Sequence, residues 1–447
     1  MVPINTDKND VNIKIGNNDI KSASQIVAYN PKLVRKWTNK IDGNGDEEFL
    51  DVKETSDGGY IAVGYTTSTN INGLENKGGE DAIIVKYDAN GNEQWKKSVG
   101  GSKDDRYNGV IEITNGTYIA VGTIYSTDVL DKNNVNIGHG YDLTFEFVGT
   151  TYMEASEGII GRYDSAGNEI SLKVTGEATD KYTTEQYMEE GGTYYEDFDI
   201  LEYSVANIII YGINKTRDGN FILTGQKNVG VPSSFTDAGE AHAYLVIKYD
   251  EEGNKISINK LDMTPSTSYS IGIKEDLNGN YFDYGFSNDI LNKELLRQKG
   301  IKISSDVLDV VEQLLLYDDG SYISLLYTSY QSFPDIEFRA ISNGSNLGDT
   351  LNWEKDQADL ENRIIKQISK SSENDFVAIC EKDNNCKLSK FSVEDATIIE
   401  EYDIPTYENI YAIEEKEEFI LLGTPTNEEG ITIEGNSGAV IAKYAIE

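Results

Sequence analysis

One unit recurs along this chain, and it limits the fold more than any other feature. Its clearest copy starts at Ser56-Asp57-Gly58-Gly59 and runs into Tyr60-Ile61-Ala62-Val63-Gly64. A polar loop leads to Asp81-Ala82-Ile83-Ile84-Val85-Lys86-Tyr87-Asp88, the turn Ala89-Asn90-Gly91-Asn92, and Glu93-Gln94-Trp95-Lys96-Lys97. Apolar runs of strand length separated by Asp-Gly and Asn-Gly are hairpin signatures, because those turns need residues that tolerate positive φ. The Gly-aromatic-aliphatic run returns at Gly116–Gly122, Gly219–Gly225, Gly279-Asn280-Tyr281-Phe282, Gly320-Ser321-Tyr322-Ile323, Asp375-Phe376-Val377-Ala378 and Glu418–Gly423, which makes seven copies. The Lys-Tyr-Asp run returns around Tyr163 and Tyr249.

A four-stranded unit repeated seven times predicts an all-β, seven-bladed β-propeller with four antiparallel strands per blade. In the first unit the strands are expected at 49–55, 60–65, 83–87 and 94–99. The last unit has three strands before the chain reaches Glu447, while 26–29 and 33–37 form an extra third-and-fourth pair near the start. The economical reading is that 33–38 completes the seventh blade beside the C-terminal strand and closes the ring, leaving no bare sheet edge. The chain then divides into an N-terminal extension, 1–25, and a single propeller, 26–447. Its blades fall near 46–100, 104–175, 205–260, 267–305, 306–355, 362–402 and 408–447, the last with 33–38.

The unit resembles repeats of bacterial exported and surface proteins, of clostridial type, with the pattern DGGYIxVG … DAxIxKYDxxGNxxW. The match is strongest over 37–125 and extends to about Ile258. Blades four to six depart most: Gln298-Lys299-Gly300-Ile301 and Phe338-Arg339-Ala340 stand where the Lys-Tyr-Asp strand is expected. The resemblance implies an extracellular binding or scaffold module, secreted or at the cell surface, and implies no catalytic residue. The N-terminus lacks the charged and apolar regions of a signal peptide. Either the protein stays inside the cell or a leader has been removed, and the resemblance favours the second.

Charge excludes whole classes of partner. With 39 Lys+Arg against 77 Asp+Glu the formal net charge is −38, and no basic cluster offers a local exception. Such a surface repels phosphate backbones and anionic lipid, so nucleic acid is not an expected partner. No run has the roughly 18 apolar residues of a membrane helix, so no membrane insertion is expected. Hydrophobic content of 38% is enough to build a large core.

Loop length locates the expected function. The first-to-second and third-to-fourth turns are all tight. The long connections are second-to-third, at 66–81, 126–157 and 227–243, and fourth-to-first, at 175–204. They share one face around blades two and three, and long loops on a rigid scaffold commonly carry function. These loops hold Tyr141, Tyr152, Tyr182, Tyr187, Tyr194 and Tyr195, the candidate ligand-binding residues. Tyrosine offers contact area with a polar tip, which suits sugar faces or protein surfaces; the alternative is that these rings pin their own loops to the blades. The expected function is an adhesin-like or lectin-like module that binds a glycan or a host or cell-surface protein. A structural spacer or assembly subunit of the bacterial envelope or an appendage is the alternative.

Asp42-Gly43-Asn44-Gly45-Asp46-Glu47-Glu48 looks like half a calcium loop, but Glu47 and Lys53 stand where an EF-hand needs Gly and Glu. The segment also aligns with the ordinary turn before Tyr107, so calcium is a candidate for the acidic loops more generally. His139 and His242, both assigned to long loops, are too few for a zinc site. Cys380 and Cys386 flank a tight turn and are a candidate disulfide, with two buried thiols as the alternative. Paired carboxylates leave a carbohydrate-active enzyme as a third reading. The Ser-Asp-Gly-Gly turn lacks the rest of a sialidase Asp-box, and no arginine cluster is present.

Overall fold

The computed structural model describes residues 32–114, 116–138, 156–176, 206–229, 241–260, 270–285, 289–291, 297–300, 310–319, 321–329, 337–345, 350–355, 359–383, 385–404, 411–415, 418–423 and 437–447, with six short strand pieces between 142 and 203 and two between 14 and 19. Among these residues there is no helix, and so none long and apolar enough to cross a membrane.

The described residues form seven four-stranded antiparallel sheets. Sheet one is Glu47–Glu54, Tyr60–Thr66, Asp81–Tyr87 and Glu93–Val99. Sheet two is Asp105–Thr114, Thr117–Ile124, Glu157–Tyr163 and Glu169–Val174. Sheet three is Ala206–Lys215, Phe221–Val229, Ala241–Tyr249 and Lys255–Lys260. Sheet four is Ser270–Glu275, Tyr281–Gly285, Asp289–Leu291 and Arg297–Gly300. Sheet five is Val310–Leu316, Tyr322–Ser329, Glu337–Ser345 and Thr350–Lys355. Sheet six is Ile364–Lys370, Asp375–Lys382, Asn385–Ser392 and Ile398–Asp403. Sheet seven joins Tyr411–Glu415, Glu418–Gly423 and Ala439–Ile446 to Leu33–Ile41, which pairs antiparallel with the C-terminal strand from Leu33↔Ile446 to Ile41↔Ala439.

Two readings of the sequence need correction here. Gln298-Lys299-Gly300 lies in the fourth strand of sheet four, not the third, because the third is only Asp289–Leu291 and leaves no apolar run to read. His242 sits in a strand opposite Asn228, since the strands of sheet three extend and shorten the connection to 230–240.

The core lies between sheets. Among the described residues seven buried apolar clusters each join one sheet to the next in sequence. The cluster holding Ile41, Ile420 and Ile441 with Phe49, Val52 and Tyr87 joins sheet seven to sheet one. In sheet one the second and third strands are covered on both faces, which is why Tyr60–Thr66 and Asp81–Tyr87 read as continuous apolar runs. The fourth strand of sheet one, Glu93–Val99, is exposed or half-buried and carries charges on its open edge. The first strands of successive sheets lie against one another at every step, including seven against one.

The turn letters have specific work in this packing. Asp88 accepts from the backbone N–H of Asn90 and Asn92 and from the Asn92 side chain, and Asp164 repeats this with Ala166 and Asn168. Gly91 has φ +78°, and a Cβ there would stand 2.4 Å from the Trp37 ring; Gly167 stands in the same relation to Trp95. The indoles also donate into the turns they cover, Trp37 to Ala89 O at 3.2 Å and Trp95 to Ser165 O at 3.0 Å. The Gly-Asn-x-x-Trp run is therefore half of a clasp whose other half belongs to the neighbouring sheet.

Candidate functional site: the loop-bearing end of sheets one to three

Four antiparallel strands in chain order put the first and third turns at one end and the remaining connections at the other. The connections 67–80 in sheet one and 125–156 in sheet two, and 175–205 between sheets two and three, therefore emerge at one end of three adjacent sheets.

The base of this end is built from buried carboxylates at strand starts. Glu47, Asp81, Asp105 and Glu157 are each the first residue of a strand and at most 1% exposed. Asp105 accepts from Gly101 N (2.8 Å), Tyr125 N (3.0 Å), Ser126 N (3.1 Å) and Ser126 Oγ (2.6 Å). Glu47 accepts from Gly43 N (2.9 Å) and Thr66 Oγ1 (2.8 Å). Glu157 accepts from Gly158 N and the Thr175 hydroxyl. Each carboxylate ties a connection to its sheet, as a charged acceptor for donors that the ladder leaves unused.

The turns that enter sheets one and two are one device made twice. Gly43, Asn44 and Gly45 donate to Glu47, Asn70 and Ser68, while Gly101, Ser102 and Lys103 donate to Asp105, Asp128 and Ser126. The Asp42–Glu48 segment thus has a structural role in holding its turn. Among the described residues no three His, Cys, Asp or Glu side chains gather as a metal-ligand set.

Asp81 differs from its three counterparts. Its Oδ2 accepts from Lys77 N at 3.1 Å, but its buried Oδ1 has no hydrogen-bond partner among the described residues. Burial, with smaller repulsion from Asp105 and Glu75, pushes its carboxyl up to about 7. Burial also raises Asp105, against the pull of its four donors. The base of the loop-bearing end thus holds one carboxyl that titrates near neutrality.

Of the predicted ligand-binding tyrosines, Tyr141, Tyr187 and Tyr195 lie outside the described residues. Tyr152, Tyr182 and Tyr194 have described backbones on short strand pairs, opposite Thr144, Tyr203 and Glu189, and their side chains lie outside the described set. His139 also lies outside it. The cysteine pair is a correction: both are buried free thiols. Cys380 faces Lys387 and Cys386 faces Glu381, an offset of one that turns the side chains to opposite faces of sheet six. Cys380 packs in the cluster with sheet five, and Cys386 in the cluster with sheet seven.

No protein-family model matches the chain, and no curated protein matches it in sequence. Solved structures with a similar backbone include a polysaccharide lyase, Uly1, at 8% identity and TM-score 0.48, covering 93% of this chain and 98% of that one. YCF48 bound to a D1 peptide is similar at 9% identity and TM-score 0.44, with 92% and 95% covered. The Dos1 propeller is similar at 9% identity and TM-score 0.35, with 59% and 63% covered. At such identities neither a ligand nor a reaction carries over.

Proposed function

We propose that the seven sheets are the blades of one β-propeller closed by Leu33–Ile41, and that the chain is a non-catalytic extracellular binding module. It presents the loop-bearing end of blades one to three to a glycan or a surface protein. Support for the ring comes from the apolar cluster and the Trp37 and Asn39 hydrogen bonds (3.2 and 2.9 Å) that join sheet seven to sheet one. The observation that carries the binding reading is topological: connections 67–80, 125–156 and 175–205 leave the same end of three adjacent sheets. Their bases are fastened by buried carboxylates, so a rigid floor carries long tyrosine-rich segments, the usual arrangement of a recognition surface.

The test is a glycan-array and surface-protein binding screen on the full chain, in calcium and in EDTA, followed by shortening of 177–203 to a brief Gly-Ser bridge. The expected result is specific binding that the shortened chain loses at unchanged melting temperature. Binding that survives the shortening, or no binding together with ordered self-association, would replace this reading with that of an assembly subunit.

A further inference from the structure

Register across the sheets brings a second polar set together, away from the loops. First strands in sheets one to six share a register shift, between Phe49 and Asp51, Tyr107 and Gly109, Ile210 and Gly212, Ser270 and Gly272, Val311 and Gln313, and Ile365 and Gln367; sheet two has a second, between Glu112 and Thr114. Equivalent positions follow from the shift. Asp51, Gly109, Gly212, Gly272, Gln313 and Gln367 correspond, and two residues on so do Lys53, Ile111, Asn214, Lys274, Leu315 and Ser369. The second set pairs with Ile61, Ile119, Ile222, Phe282, Ile323 and Val377, each just after the buried ring near the start of its second strand.

In the ring proposed above, these strands would line the inside. Val110 N donates to Asp51 Oδ2 at 3.0 Å and Ile368 N to Gln313 Oε1 at 2.7 Å, each from the first strand of one sheet to that of its neighbour. Lys53 and Lys274 are thus at one level, on sheets three steps apart. In sheet four, Gly272 leaves room for the Tyr284 hydroxyl, which stands 2.2 Å from where a Cβ would be.

The two lysines differ in company. Lys53 is ion-paired with Asp51. Lys274 has no hydrogen bond or ion pair among the described residues, and the charged groups that act on it are Lys53 and Asp51 of sheet one. Burial, with Lys53 in the same direction and Asp51 opposed, pushes its ammonium down to about 8, so it is still mostly charged at neutral pH. Asp51 also bears on Tyr284. Lys274 is half-buried, and two ammonium groups at one level with a single carboxylate, Asp51, between their charges leave a net positive charge there. A small anion beside Lys274 supplies the counter-charge that Asp51, already paired with Lys53, does not.

We propose that the interior bounded by the first strands binds one small oxyanion, a carboxylate or phosphate group, between Lys274 and Lys53, with the Tyr284 hydroxyl as a further donor. The site rests on the ring arrangement of the first strands and is independent of the loop-bearing end. It gives a chain of net charge −38 an inward-facing cationic site for an anionic ligand.

The experiment is calorimetric titration of the full chain with inorganic phosphate and, separately, with succinate, at low ionic strength and pH 7. The expected result is saturable uptake of one anion per chain. Lys274→Gln should weaken it at least tenfold and Lys53→Gln severalfold, while Lys97→Gln on the exposed outer strand leaves it unchanged. Shortening 177–203 should also leave it unchanged, which separates this site from the loop reading. Phosphate alone or succinate alone would assign the class within the proposal. Uptake of neither, or uptake indifferent to Lys274→Gln, would overturn it. Lys274→Gln removes an uncompensated charge, so its melting temperature should hold or rise, and misfolding is excluded by the same measurement.

Discussion

Sheet one and sheet five make the same joint from different sequence. In sheet one the Lys-Tyr-Asp strand leads into a turn and then Trp95, whose indole donates to Ser165 O in the next sheet at 3.0 Å. Sheet five has Asn343-Gly344 at the equivalent place, yet its Trp353 donates to Val393 O of sheet six at 3.2 Å. The other joint behaves alike. Lys86 is 1% exposed and bonds both Asp57 oxygens in the first turn of sheet one, at 3.1 and 3.0 Å. In sheet three Lys248 bonds one Asp218 oxygen at 2.7 Å and also reaches the Tyr281 hydroxyl of the next sheet at 2.9 Å. Sheet six keeps a lysine there, Lys390, 3.6 Å from Asp375. What persists is a slot, a cation under the first turn and an indole over the neighbour's last turn, rather than a spelling.

If the slots are equivalent, the largest losses should match across unlike sequence. Trp95→Ala and Trp353→Ala should each destabilise by about 2–4 kcal/mol in urea unfolding. A Trp353→Ala cost below a quarter of the Trp95→Ala cost would show that the joints only look alike.

The next contrast isolates what the clasp asks of its glycine. Gly91→Ala meets both the positive φ and the Trp37 ring, whereas Gly253, at φ +80°, has its nearest heavy atom 3.5 Å from a Cβ. Gly253→Ala should cost about 1–2 kcal/mol from backbone conformation alone, and Gly91→Ala clearly more. Equal costs would remove the indole from the explanation.

For the cation slot, Asp57→Asn should cost more than Lys86→Met, about 1–2 kcal/mol, because it leaves a buried ammonium short of its counter-ion whereas Lys86→Met leaves a half-exposed carboxylate.

The smallest effects are those of pH, and they run in opposite senses. Asp81 is raised to about 7, so its contribution is fully present below about 4 and is lost as pH rises through about 7. Asp218 is lowered to about 2 with the help of Lys248, so its contribution is present above about 4 and lost as pH falls toward 2. Asp81→Asn should flatten the stability profile between pH 4 and 7, with a gain on the order of 1 kcal/mol at pH 8. Asp218→Asn should flatten only the acid limb. A profile unchanged by Asp81→Asn would mean that water or a loop group satisfies Oδ1.

How much was legible follows from the same contrast. The four strands of sheet one, expected at 49–55, 60–65, 83–87 and 94–99, lie at 47–54, 60–66, 81–87 and 93–99, because Asp-Gly and Asn-Gly turns and apolar runs are local signals. The pairing of 33–38 with the C-terminal strand was legible because one repeat ended a strand short. The short third strand of sheet four left no such mark. The cysteine pair failed on parity, since a hairpin one residue out of register sends side chains to opposite faces. Lys53 and Lys274 were hidden by the register shift in each first strand, which breaks the two-residue alternation that a sequence displays. The tyrosine-rich loops, at 126–157 and 175–204, carry no repeat by which to place them.

The pairing of Leu33–Ile41 with the last strand, Ala439–Ile446, also determines how the molecule meets mechanical load. Lys32 and Glu447 exchange backbone hydrogen bonds of 2.8 and 2.9 Å at the mouth of an antiparallel pair whose far end is Ile41↔Ala439. A pull on the two ends therefore loads these bonds one after another, as a zipper opens, instead of shearing them all at once. Force would peel Leu33–Ile41 away first, freeing the Trp37 clasp on sheet one before any other sheet is strained.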